Sequence, residues 1–205
     1  MRIAFFGGTF DPPHNGHTGL AAQVIASGYT GKVLFVPTFS PPHKFGLPVT
    51  PYRHRLAMLR LAVGTMPGVE ISEIESRLGM VPSYTFDVMS ALEREFSSDR
   101  LQLMLGSDSL LQLHSWHMAG ELVRRWEILT YPRMGEMPSV ADLRKYWDAD
   151  IAVKLAKTVM KLPFFEISST EIRKMIAKNE KVDKLIYRDV KEYIINNGLY
   201  KSLEK

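Results

Sequence analysis

"FFGGTFDPPHNGH", residues 5–17, decides how the chain is read. An apolar run ends at Gly7 and Gly8, a Pro-rich polar loop follows, and His14 and His17 stand either side of Asn15-Gly16. The next segment carries Leu20, Ala21, Val24 and Ile25 at helical spacing, so the stretch reads as strand, tight turn, helix. Glycine allows the sharp turn and lets a ligand approach the backbone. A helix N-terminus offers free N–H groups and partial positive charge, which favour phosphate. Two imidazoles there add further donors. The residues alone leave other readings open. The histidines fit surface loop positions beside a simple turn. They also fit a metal site, whose further ligands would have to be Asp11, another carboxylate or a distant histidine.

Outward from this unit the same alternation repeats. Candidate strands are Ile3–Phe6, Lys32–Val36, Val69–Ile71, Leu101–Leu105, Glu127–Thr130 and Phe164–Ile167. Candidate helices cover about 16–27, 52–65, 84–96, 108–123, 139–147, 169–177 and 188–197, and residues 149–162 fit either helix or irregular structure. Strands that are apolar throughout and separated by helices imply a parallel sheet covered on both faces. The expected architecture is therefore a doubly wound α/β fold. No repeat or low-complexity linker divides the chain, so it reads as one domain, 1–205, with a C-terminal helical part over about 165–205.

Composition narrows the class. The 205 residues are 45% hydrophobic, enough for one full core. No apolar run reaches the roughly 18–20 residues of a membrane span, and the N-terminal run is too short for a secretory signal. Cysteine is absent, which excludes disulfides and thiolate metal sites and fits a reducing compartment; the expected location is the cytoplasm. The net charge of +4 suits an anionic substrate as well as a nucleic acid. No nucleic-acid-binding motif is visible, and the acids alternating with lysine in "KNEKVDK" read as a solvated surface.

In doubly wound folds ligands bind at the carboxyl ends of the strands. Three loops there are polar: residues 7–17, the segment after Leu105, and the segment after Ile167. In "GSDSLL" Gly106 ends a strand and Asp108 stands at a helix start, able to cap it or to accept a ligand hydrogen bond. In "EISSTEIRKMI" Ser168 to Glu171 has the spacing of a capping box, and Arg173 in the second turn leans back toward the helix mouth.

These motifs resemble a known family. "HNGH", residues 14–17, is similar to the T/HxGH signature of the nucleotidyltransferase superfamily, and "GGTFDPPHNGH" resembles its dinucleotide-forming adenylyltransferases. "ISSTEIR", about 150 residues later, is similar to their ISSTxxR motif. The G-x-D of Gly106 and Asp108 with Trp116 beyond, "PPHK" with Lys44, "PSYTFDVM" with Thr85 and "YPRMG" with Arg133 resemble segments of the bacterial nicotinate-nucleotide adenylyltransferases. The likeness runs from residue 3 to about 200. Met134 stands where the family has proline, and "LIYRDV" lacks the proline of the family's Leu-Val-Pro.

The resemblance implies a Rossmann-like nucleotidyltransferase fold. The implied reaction is transfer of AMP from ATP to nicotinate mononucleotide, giving nicotinate adenine dinucleotide and pyrophosphate in NAD biosynthesis. His14, His17 and Arg173 would be catalytic. With them Gly7, Gly8, Thr9, Phe10, Gly106, Asp108, Ser168, Ser169 and Thr170 would bind ATP. Lys44, Thr85, Trp116 and Arg133 would bind the mononucleotide. Mg²⁺ would be held through substrate phosphates, with no protein metal site. Hydrogen bonds to the anions would raise the histidine pKa values. The alternatives are nicotinamide mononucleotide as acceptor, or another HxGH enzyme such as phosphopantetheine adenylyltransferase. A homo-oligomer is allowed; neither nucleic acid nor membrane is expected as a partner.

Overall fold

The structure, a computed structural model, describes residues 1–40, 49–133, 137–163, 165 and 167–201. The candidate ligand Lys44 lies outside the described residues. In chain order the elements are β1 (Arg2–Gly8), α1 (Asn15–Ala26), β2 (Lys32–Pro37), α2 (Tyr52–Val63), β3 (Val69–Ile71), α3 (Ile74–Arg77) and α4 (Thr85–Glu95). There follow β4 (Arg100–Gly106), α5 (Ser107–Gln112), a 3-10 turn (Leu113–Ser115), α6 (Ala119–Arg125), β5 (Glu127–Tyr131), α7 (Val140–Leu143), α8 (Ala149–Ala156), α9 (Ser169–Ala177) and α10 (Arg188–Asn196).

The strands form one parallel sheet in the order β3-β2-β1-β4-β5, with Phe5 paired to Leu34 on one side and to Leu103 on the other. Strand side chains alternate between faces, and here both faces are covered. Ile3 and Phe5 enter a core with Leu92 of α4, Leu110 of α5, Leu122 of α6 and Leu155 of α8. Ala4 and Phe6 enter a second core with Leu20 and Val24 of α1 and Leu59 of α2. A third cluster joins Met58 and Ala62 of α2 to Ile172 of α9 and Val190 and Ile194 of α10. This packing sets the C-terminal helices against the rest of the fold.

The chain leaves β1 toward β2 and β3, then returns to β4 on β1's other side. Loops after β1 and β4 therefore diverge, and a crevice opens at the carboxyl ends of the two strands.

Of the sixth expected strand, Phe164–Ile167, residues 164 and 166 lie outside the described residues. Phe165 and Ile167 carry no strand pairing. The place beside β5 is taken by one parallel bridge, Thr130 to Val159, with Met160 N–H donating to the Thr130 carbonyl at 2.7 Å. The undecided residues 149–162 thus divide into α8 and this short extended piece. The helix expected over 108–123 breaks into three parts because Trp116 is extended and Met118 adopts φ +55°. That expected over 139–147 shortens to α7. No helix among the described residues is long and apolar enough to cross a membrane.

Candidate active site

His14 is the extended N-cap of α1 (φ −145°), and His17 sits in its first turn. The His14 N–H donates to His17 Nδ1 at 3.1 Å, and the two rings stack with centroids 3.6 Å apart. His17 Nδ1 is thereby an acceptor, which leaves the ring proton on Nε2. Phe10 meets His17 edge-on at 5.0 Å. Phe10 itself is buried, at φ +49°, with its ring beneath Gly8, where a Cβ would stand 2.9 Å from the Phe10 Cζ.

Burial pushes His14 down to about 4, helped by the nearby Arg133 charge. Burial likewise holds His17 well below the usual histidine range, with His14 and then Arg133 adding to it. Without a bound anion both imidazoles are neutral at pH 7, and His14 Nδ1 is buried with no hydrogen-bond partner among the described residues.

The first turn of α9 faces the same place. Ser168 is its N-cap, but no capping box with Glu171 forms; Glu171 instead pairs with Lys174 at 2.8 Å. Ser169 Oγ donates to the Pro12 carbonyl at 2.8 Å. Arg173 Nη1 donates to the Asp11 carbonyl at 2.6 Å, and Nη2 to Thr170 Oγ1 at 3.3 Å. Helix α9 is thus tied to the β1–α1 loop from the far end of the sequence. Arg133, just after β5, pairs with Asp108 at 3.3 Å, and its N–H donates to Ser107 Oγ at 2.8 Å. Gly106 leaves room for that pair: a Cβ would collide with Asp108 Oδ1 and lie 3.1 Å from Arg133 Nε.

Three cavities meet along this crevice. The central one, about 240 Å³, is walled by Gly7, Gly8, Thr9, both histidines, Arg133, Ser168–Thr170 and Arg173. Two helix mouths, two imidazoles and two guanidinium groups converge there, an arrangement that suits a polyanion. On one side a cavity of about 430 Å³ shares the histidines, Arg133 and Ser168, and adds apolar walls from Leu20, Phe165, Ile172 and Met175. On the other, a cavity of about 340 Å³ shares Gly7, Gly8 and Thr9 and is lined by Thr85, Gly106, Trp116 and His117.

The sequence-derived candidates Gly7, Gly8, Thr9, Phe10, His14, His17, Arg133, Ser168, Ser169, Thr170 and Arg173 therefore share one cavity wall, with Gly106, Thr85 and Trp116 in the neighbouring cavity. Asp108 stands beside them as the partner of Arg133. Several residues of the site were not anticipated, and Asp11 was anticipated only as a metal ligand. Tyr131 borders all three cavities. His117 stacks on Tyr84 at 4.6 Å. Glu75, buried beside Ser83, accepts the Phe39 N–H at 2.7 Å, and burial raises its carboxyl to about 7. Asp11 is buried, its carboxylate accepting from the Tyr200 hydroxyl at 2.6 Å and the Thr50 N–H at 3.2 Å. A signal existed for Asp11, which lies inside the motif; Glu75 and Tyr200 sit in segments with no such pattern.

Residues 5–175 match the cytidylyltransferase-like family. A protein of Thermomicrobium roseum named "Probable nicotinate-nucleotide adenylyltransferase" is 34% identical over 204 residues, covering 99% of this chain and 93% of the relative. The nicotinate-nucleotide adenylyltransferase of Bacillus subtilis is 34% identical over 202 residues, covering 98% of this chain and 99% of the relative. Among solved structures, the Plasmodium falciparum nicotinic acid mononucleotide adenylyltransferase complexed with NaAD superposes with a TM-score of 0.77 at 20% identity, covering 97% of each chain. That last likeness bears on the fold, and it matches the doubly wound sheet described above.

Proposed function

Because the chain belongs to the cytidylyltransferase-like family, and within it to the nicotinate-nucleotide adenylyltransferases, we propose that it transfers AMP from ATP to nicotinate mononucleotide. The products are nicotinate adenine dinucleotide and pyrophosphate, and the reaction is a step of NAD biosynthesis. The observation that carries the site assignment is the central polar cavity flanked by two larger ones. The triphosphate fits the middle, the adenosine the more apolar side near Phe165, and the mononucleotide the side of Thr85 and Trp116.

A phosphate oxygen of the mononucleotide attacks the α-phosphorus of ATP. The new O–P bond forms as the bond to the β-phosphate oxygen breaks, and that electron pair leaves with pyrophosphate. The attacking phosphate is already a dianion near neutral pH, so no general base is needed. Catalysis then consists of holding two anions in line and stabilising charge on the leaving group. His17 offers Nε2–H as a donor from a rigid, stacked ring. His14, Ser168, Thr170 and Arg173, with the main-chain N–H of Ser169, add donors at the two helix mouths, and Arg133 adds a charge between the histidine wall and β5.

Mg²⁺ fits this site as a passenger of the phosphates. Among the described residues lining the central cavity Asp11 is the one carboxylate, and both its oxygens are engaged. Among the described residues no group of three or more acids and histidines is placed to hold a metal. When bound, the ion neutralises phosphate charge as a Lewis acid. The whole chain is read as one nucleotidyltransferase domain working in the cytoplasm.

Pyrophosphate release with ATP and Mg²⁺ tests the reading. Release is expected with nicotinate mononucleotide, with much less for nicotinamide mononucleotide and none for phosphopantetheine. A preference for the amide, or release with phosphopantetheine alone, would correct the acceptor.

A further inference from the structure

Arg55 is an arginine in the wrong place by composition. It lies on the buried face of α2 with Met58, Leu59 and Ala62, and is 1% exposed. A guanidinium at such depth costs free energy unless its donors are met. Among the described residues Arg55 forms no ion pair within contact distance; its three hydrogen bonds go to main-chain carbonyls, and the Asp11 and Glu75 carboxylates favour its charge from further off. Nε donates to Thr50 at 2.9 Å, Nη1 to Thr9 at 2.8 Å and Nη2 to Thr38 at 2.8 Å. The Tyr52 ring lies 5.5 Å from the guanidinium carbon.

The three carbonyls belong to three different segments, and two of them are site walls. Thr9 borders both the central cavity and the acceptor-side cavity. Thr38, just after β2, borders the acceptor side. Thr50 is held at both ends, its carbonyl by Arg55 and its N–H by the Asp11 carboxylate. Arg55 itself lines none of these cavities. Among the described residues its hydrogen bonds to the site all go to backbone carbonyls, while the Asp11 and Glu75 carboxylates favour its charge from a distance.

We infer that Arg55 is a positioning residue: it fixes the distance between Thr9 in the β1 loop, which holds the triphosphate, and Thr38 just after β2, which faces the acceptor, and so aligns the two substrates for in-line attack. The inference rests on the reaction proposed above. The three guanidinium nitrogens each reach a different carbonyl, whereas the three donors of a lysine radiate from one nitrogen and cannot match carbonyls spread around the fork. Misalignment near 1 Å costs rate far more than it costs the binding of either substrate alone.

The test compares wild type, Arg55→Lys and Arg55→Gln under single-turnover conditions, with folded enzyme in excess over ATP. The first-order rate constant is expected to fall about 10- to 100-fold in Arg55→Lys and further in Arg55→Gln. The dissociation constant for ATP alone and the KM for nicotinate mononucleotide should stay within about threefold. A purely structural role lowers the yield of active enzyme and leaves that rate constant unchanged. A rate constant for Arg55→Lys within about threefold of wild type overturns the inference, as does failure of both variants to fold. Wild type that ignores nicotinate mononucleotide would count against the proposed reaction, before any variant is made.

Discussion

At His17 the acceptor role of Nδ1 leaves Nε2–H as the donor, and the stack on His14 holds the ring in place. His17→Ala removes that donor and is expected to lower kcat about 10²- to 10³-fold in the pyrophosphate-release assay. His17→Gln, whose amide can set a donor near the Nε2 position, should recover part of the loss. Equal rates for wild type and His17→Ala would remove the histidine from the mechanism. The histidines and the Ser168–Arg173 run were legible because each motif is local, a few residues wound around one helix start. Arg55 and Glu75 were not, since their meaning comes from depth and distant partners. One sign of Arg55 was present: it falls in the apolar stripe of α2 with Leu59 and Ala62, a position where a charge needs an explanation.

At the level of elements, the C-terminal segment is a support for the β1 loop. Helices α9 and α10 pack on α2, and beyond them the Tyr200 hydroxyl reaches the buried Asp11 carboxylate. Removing that hydroxyl leaves a buried carboxylate short of a donor, which costs about 1–3 kcal/mol. Tyr200→Phe should therefore lower the denaturant midpoint by a matching amount, with kcat falling because Asp11 lies in the loop bonded by Ser169 and Arg173. An unchanged midpoint would show that the carboxylate finds another donor. Helices α2, α4, α9 and α10 could be read from spacing, because amphipathic periodicity is local. The Phe164–Ile167 strand could not be judged that way: an apolar run becomes a strand only if a sheet edge accepts it. Among the described residues the edge beside β5 is bridged by Val159. The long helix after β4 failed for a related reason, since periodicity runs on through Trp116 and Met118 although the backbone turns there.

Over the whole molecule the buried titrating groups oppose one another. His14 has its folded pKa depressed to about 4, so it keeps its contribution to stability above about 6.5 and loses it as pH falls toward 4; His17 acts in the same sense. Glu75 is raised to about 7, so its contribution is full below about 4.5 and is lost as pH rises through 7. Each of His14 and Glu75 carries on the order of 3 kcal/mol across its shift. The two slopes largely cancel between pH 4.5 and 6.5, leaving mainly that of His17. Glu75→Gln removes one side of the balance. That variant should be more stable than wild type at pH 8 and should lose stability more steeply on going from pH 7 to pH 5, read by urea titration at each pH. A parallel profile for the two proteins would mean that Glu75 ionises normally.

The sheet described above also has two margins, and neither offers a neighbour much to grip. On one side β3 contributes only three residues, Val69–Ile71, with Glu70 held by Lys32. On the other, the carbonyl and N–H of Thr130 are already taken by Met160 and Thr158. A short charged margin and a capped one are poor templates for strand addition. A sheet open at both ends in topology is therefore nearly closed to recruitment of stray chains, and the crevice at its centre stays the open side.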